Sequence, residues 1–247
     1  MTQANYDWRI WKYFYVSGLS GPLVSSIVMS IALSGKQGLW SLLKQAFIWR
    51  FSVIWYLVAL LLAPLLMLSA ASYCAMAVHE DIALPRVAFG TVLLIFLIMV
   101  VRGGPLNEEL GWRGYLLPHL LQRHNPFWAT LVLTPIWTAW HGPLWLMRGV
   151  PHSHWPWIYF AMMVAPIAFL FTWFYLRTGR SVLIAILFHG SINTSIHFLP
   201  LLPPRHPDLT PFGIWIALLW TLTLAVLWAD RQMWFSRNPQ VPKAAVG

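Results

Sequence analysis

The sequence predicts an all-α membrane protein, a polytopic bundle of about eight transmembrane helices, and three observations carry that prediction. Hydrophobic residues fill 59% of the 247 positions. Charged residues fill 9%, against about a quarter in soluble domains. The apolar residues also fall in runs of the length that crosses hydrocarbon. No ten-residue alternating pattern of a β-barrel is visible, so helices remain as the structure that satisfies its own backbone in lipid. The length suits a single membrane domain over residues 1–247 with short loops. In a soluble protein the net charge of +9 would suggest nucleic acid; here the 16 Lys and Arg residues are scattered over loops and segment ends. That is the usual arrangement for orienting a membrane protein, so nucleic acid is not expected as a partner. The single cysteine, Cys74, rules out an intrachain disulfide and a Cys-rich metal site.

Residues 13–33 form the first span, free of charge and preceded by Arg9 and Lys12 without a small-residue cleavage site, so this span is expected to stay. Residues 34–50 set Lys36, Lys44 and Arg50 among Trp40, Leu43 and Phe47, the composition of an interfacial amphipathic helix. A span over 51–72 leads to a polar loop with His79, Glu80, Asp81 and Arg86. The span 87–101 stops at Arg102-Gly103-Gly104-Pro105, a strong helix break. A helix over 107–123 follows, with Asn107 as its expected N-cap, and His124-Asn125-Pro126 ends it. Residues 127–147 form a helix with His141 inside it, and 151–156 a loop with His152 and His154. The spans 157–177, 181–199 and 212–229 complete the bundle, and a polar tail over 230–247 is expected to fray.

Two of the seven acidic residues, Glu108 and Glu109, stand side by side in this apolar chain. A charge in hydrocarbon costs at least a few kcal/mol, so such residues mark function by default. Helical spacing pairs Glu109 with Arg113 at i,i+4 and leaves Glu108 without a partner nearby in sequence. Glu108 and His141 each lie about 16 residues from the turn at His124-Asn125, about 25 Å at 1.5 Å per residue, so an antiparallel hairpin matches their depth. His189 and Asn193 share one face of the span 181–199 and fall near the same depth. This convergence favours eight helices over a seven-span layout that lays the Glu helix on the surface. In the eight-helix layout nine basic residues lie on one side against six on the other, which puts both termini in the cytoplasm.

A carboxylate, two histidines and a carboxamide from three helices suit hydrolysis. Glu108 accepts a proton from water, His141 positions the water or donates to the leaving amine, and His189 with Asn193 donates to an oxyanion. The bland alternatives are a Glu108 that only bonds a neighbouring helix, a His141 satisfied within the core between Trp137 and Trp140, and a His189–Asn193 pair acting as interhelical glue. Glu109 and Arg113 are expected to be structural. His119, His124, His152, His154 and His206 lie near segment ends or loops, and His197 stays a weak candidate. Glu108, His141 and His189 also have the donor types for zinc or another divalent metal, although no His-Glu-x-x-His element is present.

Three motifs in this order resemble the CPBP family of CAAX proteases and bacteriocin-processing enzymes, also known as the type II CAAX prenyl endopeptidase or Abi family. They are Glu-Glu-x-x-x-Arg (Glu108, Glu109, Arg113), an aromatic followed four residues later by His (Trp137, His141), and His-x-x-x-Asn (His189, Asn193). The resemblance covers about residues 86–199, the expected catalytic core, and Trp137 departs from the commoner Phe. It implies an intramembrane endopeptidase, with Glu108 and His141 activating water and His189 and Asn193 stabilising the oxyanion. It further implies a cavity open to the cytosol in a bacterial cytoplasmic membrane, a lipidated or membrane-associated peptide or protein as substrate, and for some members a metal or a part in bacteriocin maturation or self-immunity. The competing readings are a non-catalytic immunity protein that kept the motifs and a proton-coupled transporter using Glu108 and the histidines as a relay. No internal repeat or continuous polar pathway supports transport.

Overall fold

The computed structural model describes residues 8–79, 82, 84–147, 150–206 and 208–237, with backbone only for residues 8–19 and 78. Glu80, Asp81, Arg148 and the tail beyond 237 therefore lie outside the described residues. The chain is α-helical, with no strand among the described residues. Helix α1 runs Trp8–Leu43 and is broken at Ser34 and Gly35, where Gly35 takes a φ of 56°. That break separates the first apolar span from the amphipathic stretch, as expected. A short 3₁₀ turn, Lys44–Phe47, follows it. Then come α2 (Val53–Tyr73), α3 (Phe89–Arg102), α4 (Pro105–Gly111), a π-helical turn (Trp112–Leu116) and α5 (Leu117–Leu121). The remaining helices are α6 (Pro126–Trp140), α7 (Trp157–Arg177), α8 (Val182–Phe198), α9 (Thr210–Ala229) and α10 (Arg231–Phe235).

Three boundaries depart from the sequence expectation, each for a local reason. The Glu-bearing helix starts at Pro105 with Gly104 as N-cap, not at Asn107. Proline at the first helical position has φ pre-set and no N–H to leave unpaired, while Gly104 turns the chain with a φ of 105° that disfavours any side chain. Helix α6 ends at Trp140, so His141 is its C-terminal cap and not an interior residue. Pro143 causes this, because its ring and missing N–H cannot continue the helix, and a 3₁₀ turn over Gly142–Leu146 takes over. The chain after Asp230 is not frayed over its first turn. Trp234 is fully buried, with its ring 5.5 Å from that of Phe169, and Asp230 is clasped by the Arg177 guanidinium and the Trp173 indole N–H.

Val53–Ala77, Trp157–Arg177 and Thr210–Ala229 are long and apolar enough to cross a membrane. Helix α3 and the α4–α5 segment, bent by 43° at the Gly103-Gly104 break, add a fourth if the pair is one broken span. These criteria do not reach the expected eight. Alone, the 14 residues of α3 rise only about 21 Å, short of a hydrocarbon core of about 30 Å. Helix α8 is central: it packs against α2, α3, α4 and α7, while α4 lies between α1 and α8. Gly111 permits the close approach of α1 to α4, since a Cβ there would lie 2.5 Å from the Pro22 Cβ and 2.6 Å from its carbonyl oxygen.

Candidate active site

Helix α4 and the turn after it project Glu108, Glu109 and Arg113 into the centre of the bundle. All three are enclosed, with exposures of 3%, 0% and 0%. Arg113 Nη1 donates to both oxygens of Glu109, at 3.1 Å to Oε1 and 2.9 Å to Oε2. Its guanidinium sits in the corner made by the Trp137 ring at 4.5 Å and the Phe171 ring at 4.0 Å, which meet edge to face. The expected i,i+4 pair therefore forms and is lined by aromatic faces. Glu109 also has a second partner: its Oε1 lies 2.7 Å from His189 Nδ1.

Glu108 is not without a sequence-local partner. Trp112, four residues on, directs its indole N–H to Glu108 Oε2 at 3.4 Å. From α6, the Trp137 indole N–H donates to the same oxygen at 2.9 Å. His141 Nε2 lies 4.0 Å from it, so the depth match between the two sides of the hairpin holds. His141 Nδ1 is 2.8 Å from the Trp137 carbonyl oxygen. A proton on Nδ1 leaves the Nε2 lone pair facing the Glu108 side.

His141, His189 and Asn193 line a cavity of about 340 Å³. Its walls are mainly apolar, from α3, α6, α7 and α8, with His152, His197 and Arg205 among the polar lining. Glu108 is not a lining residue; it meets the cavity wall through Trp137 and His141, both of which line it. The Asn193 Nδ2 donates to the Gly103 carbonyl at 3.1 Å, and the carbonyl of Gly104 accepts the Glu108 N–H at 2.7 Å. The helix break thus sits against the site.

The structure brings Glu108 to His141, and His189 to Glu109 rather than to Glu108. His119 and His124 are exposed, away from the cavity, whereas His197 lines its far end. Two side chains were missed from sequence. Trp112 had a signal in its i,i+4 spacing from Glu108. His152 had none, because its ring reaches the site through the Pro151–His154 turn, where it lies 6.3 Å from the ring of His141. Burial, and secondarily His141, pushes the His152 imidazole down to about 4.

A metal centre needs three or four ligand atoms converging at about 2 Å. Among the described residues no three His, Cys, Asp or Glu side chains are grouped to hold one. In this arrangement Glu108 Oε2 accepts two indole N–H groups and His189 Nδ1 faces Glu109, so the expected set of Glu108, His141 and His189 does not fit a three-ligand zinc site.

Residues 88–195 match the model of the family described as type II CAAX prenyl endopeptidase, Rce1-like. All three motifs lie within the matched residues, and the resemblance drawn from them holds for the CAAX prenyl endopeptidases. The chain is also similar to CAAX prenyl protease 2 of Methanococcus maripaludis, 28% identical over 136 residues, which are 53% of this chain and 48% of that protein. The chain thus spans about half the length of this curated relative.

Proposed function

We propose, for a chain whose residues 88–195 match the Rce1-like type II CAAX prenyl endopeptidases, that it is an intramembrane endopeptidase cutting a lipidated or membrane-associated peptide or protein. The observation that carries this reading is the enclosed Glu108 carboxylate 4.0 Å from His141 Nε2, with His141, His189 and Asn193 together on the wall of one cavity. A water held by His141 and Glu108 gives its proton to Glu108 as its oxygen attacks the peptide carbonyl carbon. The carbonyl oxygen becomes an oxyanion and accepts hydrogen bonds from His189 and Asn193. Collapse breaks the C–N bond, and the leaving amine takes from Glu108 the proton that the water gave up. Glu109 holds His189 through Nδ1, which turns Nε2 toward the cavity. The oxyanion role of His189 calls on Nε2–H, the ring donor left over beside the Nδ1 that faces Glu109. The mainly apolar lining suits a lipid-bearing substrate.

The test is cleavage of lipidated peptides by the purified protein in detergent. Glu108→Gln and His189→Ala are each expected to lose about 10²- to 10⁴-fold in rate, the range of general acid–base catalysis. Full activity in both variants would overturn the assignment. In the same assay, chelation is expected to leave the rate unchanged; a loss restored by zinc would replace this mechanism with a metal-assisted one.

A further inference from the structure

We propose that Trp112 and Trp137 are positioning residues that clamp Glu108 by its Oε2 and so hold the carboxylate in the orientation that faces His141 Nε2. The proposal deepens the peptidase reading but stands on its own geometry. Both indole N–H groups point at Oε2, Trp137 from 2.9 Å and Trp112 from 3.4 Å, and the two rings are 4% and 8% exposed. They approach from different elements, one from the turn after α4 and one from α6, so the carboxylate is held from two directions. No protein donor reaches Oε1 among the described residues. With Oε2 anchored, rotation of the carboxylate is stopped.

Indole is suited to this task. Its N–H is a donor with no acceptor capacity, so it fixes a carboxylate without competing for the proton of an attacking water. A Tyr or His in either place would bring a titratable proton into the site. Trp137 also reaches the other members of the cluster. Its face covers Arg113 at 4.5 Å, and its ring lies edge-on to His141 at 5.9 Å and His189 at 6.0 Å. Its carbonyl oxygen faces His141 Nδ1 at 2.8 Å. One residue therefore sets the orientation of Glu108 and the tautomer of its neighbouring histidine.

The experiment is isotope-edited infrared spectroscopy on protein labelled with ¹³C-carboxyl glutamate, together with kinetics. The chain has three Glu residues, 80, 108 and 109, and the difference from Glu108→Gln isolates the Glu108 band. Trp137→Phe and Trp112→Phe are each expected to shift that band, and the double variant to shift it further. Each should lower kcat roughly tenfold to a hundredfold, as for loss of a hydrogen bond to a charged group, with KM within about twofold. An unmoved band in both variants, or an unchanged kcat with a moved band, overturns the clamp. Should Trp137→Phe fail to fold, Trp112→Phe carries the same test without disturbing the ring over Arg113. A shifted band in a protein that cuts no lipidated peptide would sink the peptidase reading while the clamp stands; an unshifted band in an active enzyme would do the reverse.

Discussion

Arg113 has no exposure, and its charge is met by Glu109 on one side and by two aromatic faces on the others. Removing one member of such a pair leaves the other buried and uncompensated, which costs about 3–5 kcal/mol. Arg113→Leu is expected to lose stability of that order in detergent unfolding. The double variant Glu109→Gln with Arg113→Leu should recover much of the loss but not the activity, because His189 loses the carboxylate that orients it. The spacing of Glu109 and Arg113 made their pairing legible in the sequence. The bond from Glu109 to His189 spans 80 positions and has no local trace. Nor did spacing reveal that Trp112 would turn its N–H back on Glu108, although the four-residue offset was present.

Helix α4 reaches its place because nothing projects from Gly111 toward α1. Gly111→Ala would put a Cβ against the Pro22 backbone, which cannot swing aside as a flexible side chain would. A loss of about 1–3 kcal/mol is expected from overpacking, together with reduced cleavage as α4 shifts; thermal melts and the peptide assay read the two effects. The turn carrying His152 predicts a pH dependence. Its imidazole is held below its ordinary value of 6.5, at about 4, by burial. The unfolded chain therefore binds the extra proton first as pH falls. Stability from the neutral buried ring is complete above about pH 6.5 and is lost as pH drops toward 4. Melting temperature should fall less between pH 7 and pH 5 in His152→Phe than in the wild type. Elements of this kind, short 3₁₀ turns such as Pro151–His154 and Gly142–Leu146, lack the periodicity that made the long helices legible. Pro143 was the visible sign that α6 would stop before 147.

At the scale of the molecule, the apolar helices were legible from composition and run length, but their sidedness was not. At Gly103-Gly104 the two helices are not antiparallel. The chain bends by 43°, and if α3 and the α4–α5 segment are one broken span, Arg86 and Arg123 flank its two ends. On that layout Arg86 and Arg123, which the eight-helix count of nine basic residues against six sets on one surface, lie on opposite ones. Single cysteines at positions 86 and 123, in a protein with Cys74 replaced by Ala, are expected to react with an impermeant thiol reagent from opposite faces of the membrane. Labelling of both from one face would restore the reversing layout. Equally, the aromatic residues near Asp230 hid a seat for the tail: the polar run after residue 229 reads as frayed, whereas Trp234 closes the end of the bundle beside Phe169.

The contact between Asn193 and the Gly103 carbonyl has a further consequence. A helix interrupted inside an apolar bundle strips backbone oxygens of their usual donors, and hydrocarbon offers none in exchange. Asn193 supplies one of those donors through Nδ2. The side chain proposed to steady a passing oxyanion is therefore already mending the backbone beneath the site. Inactivity after its removal mixes two injuries, a lost catalytic donor and an unhealed break in the helix.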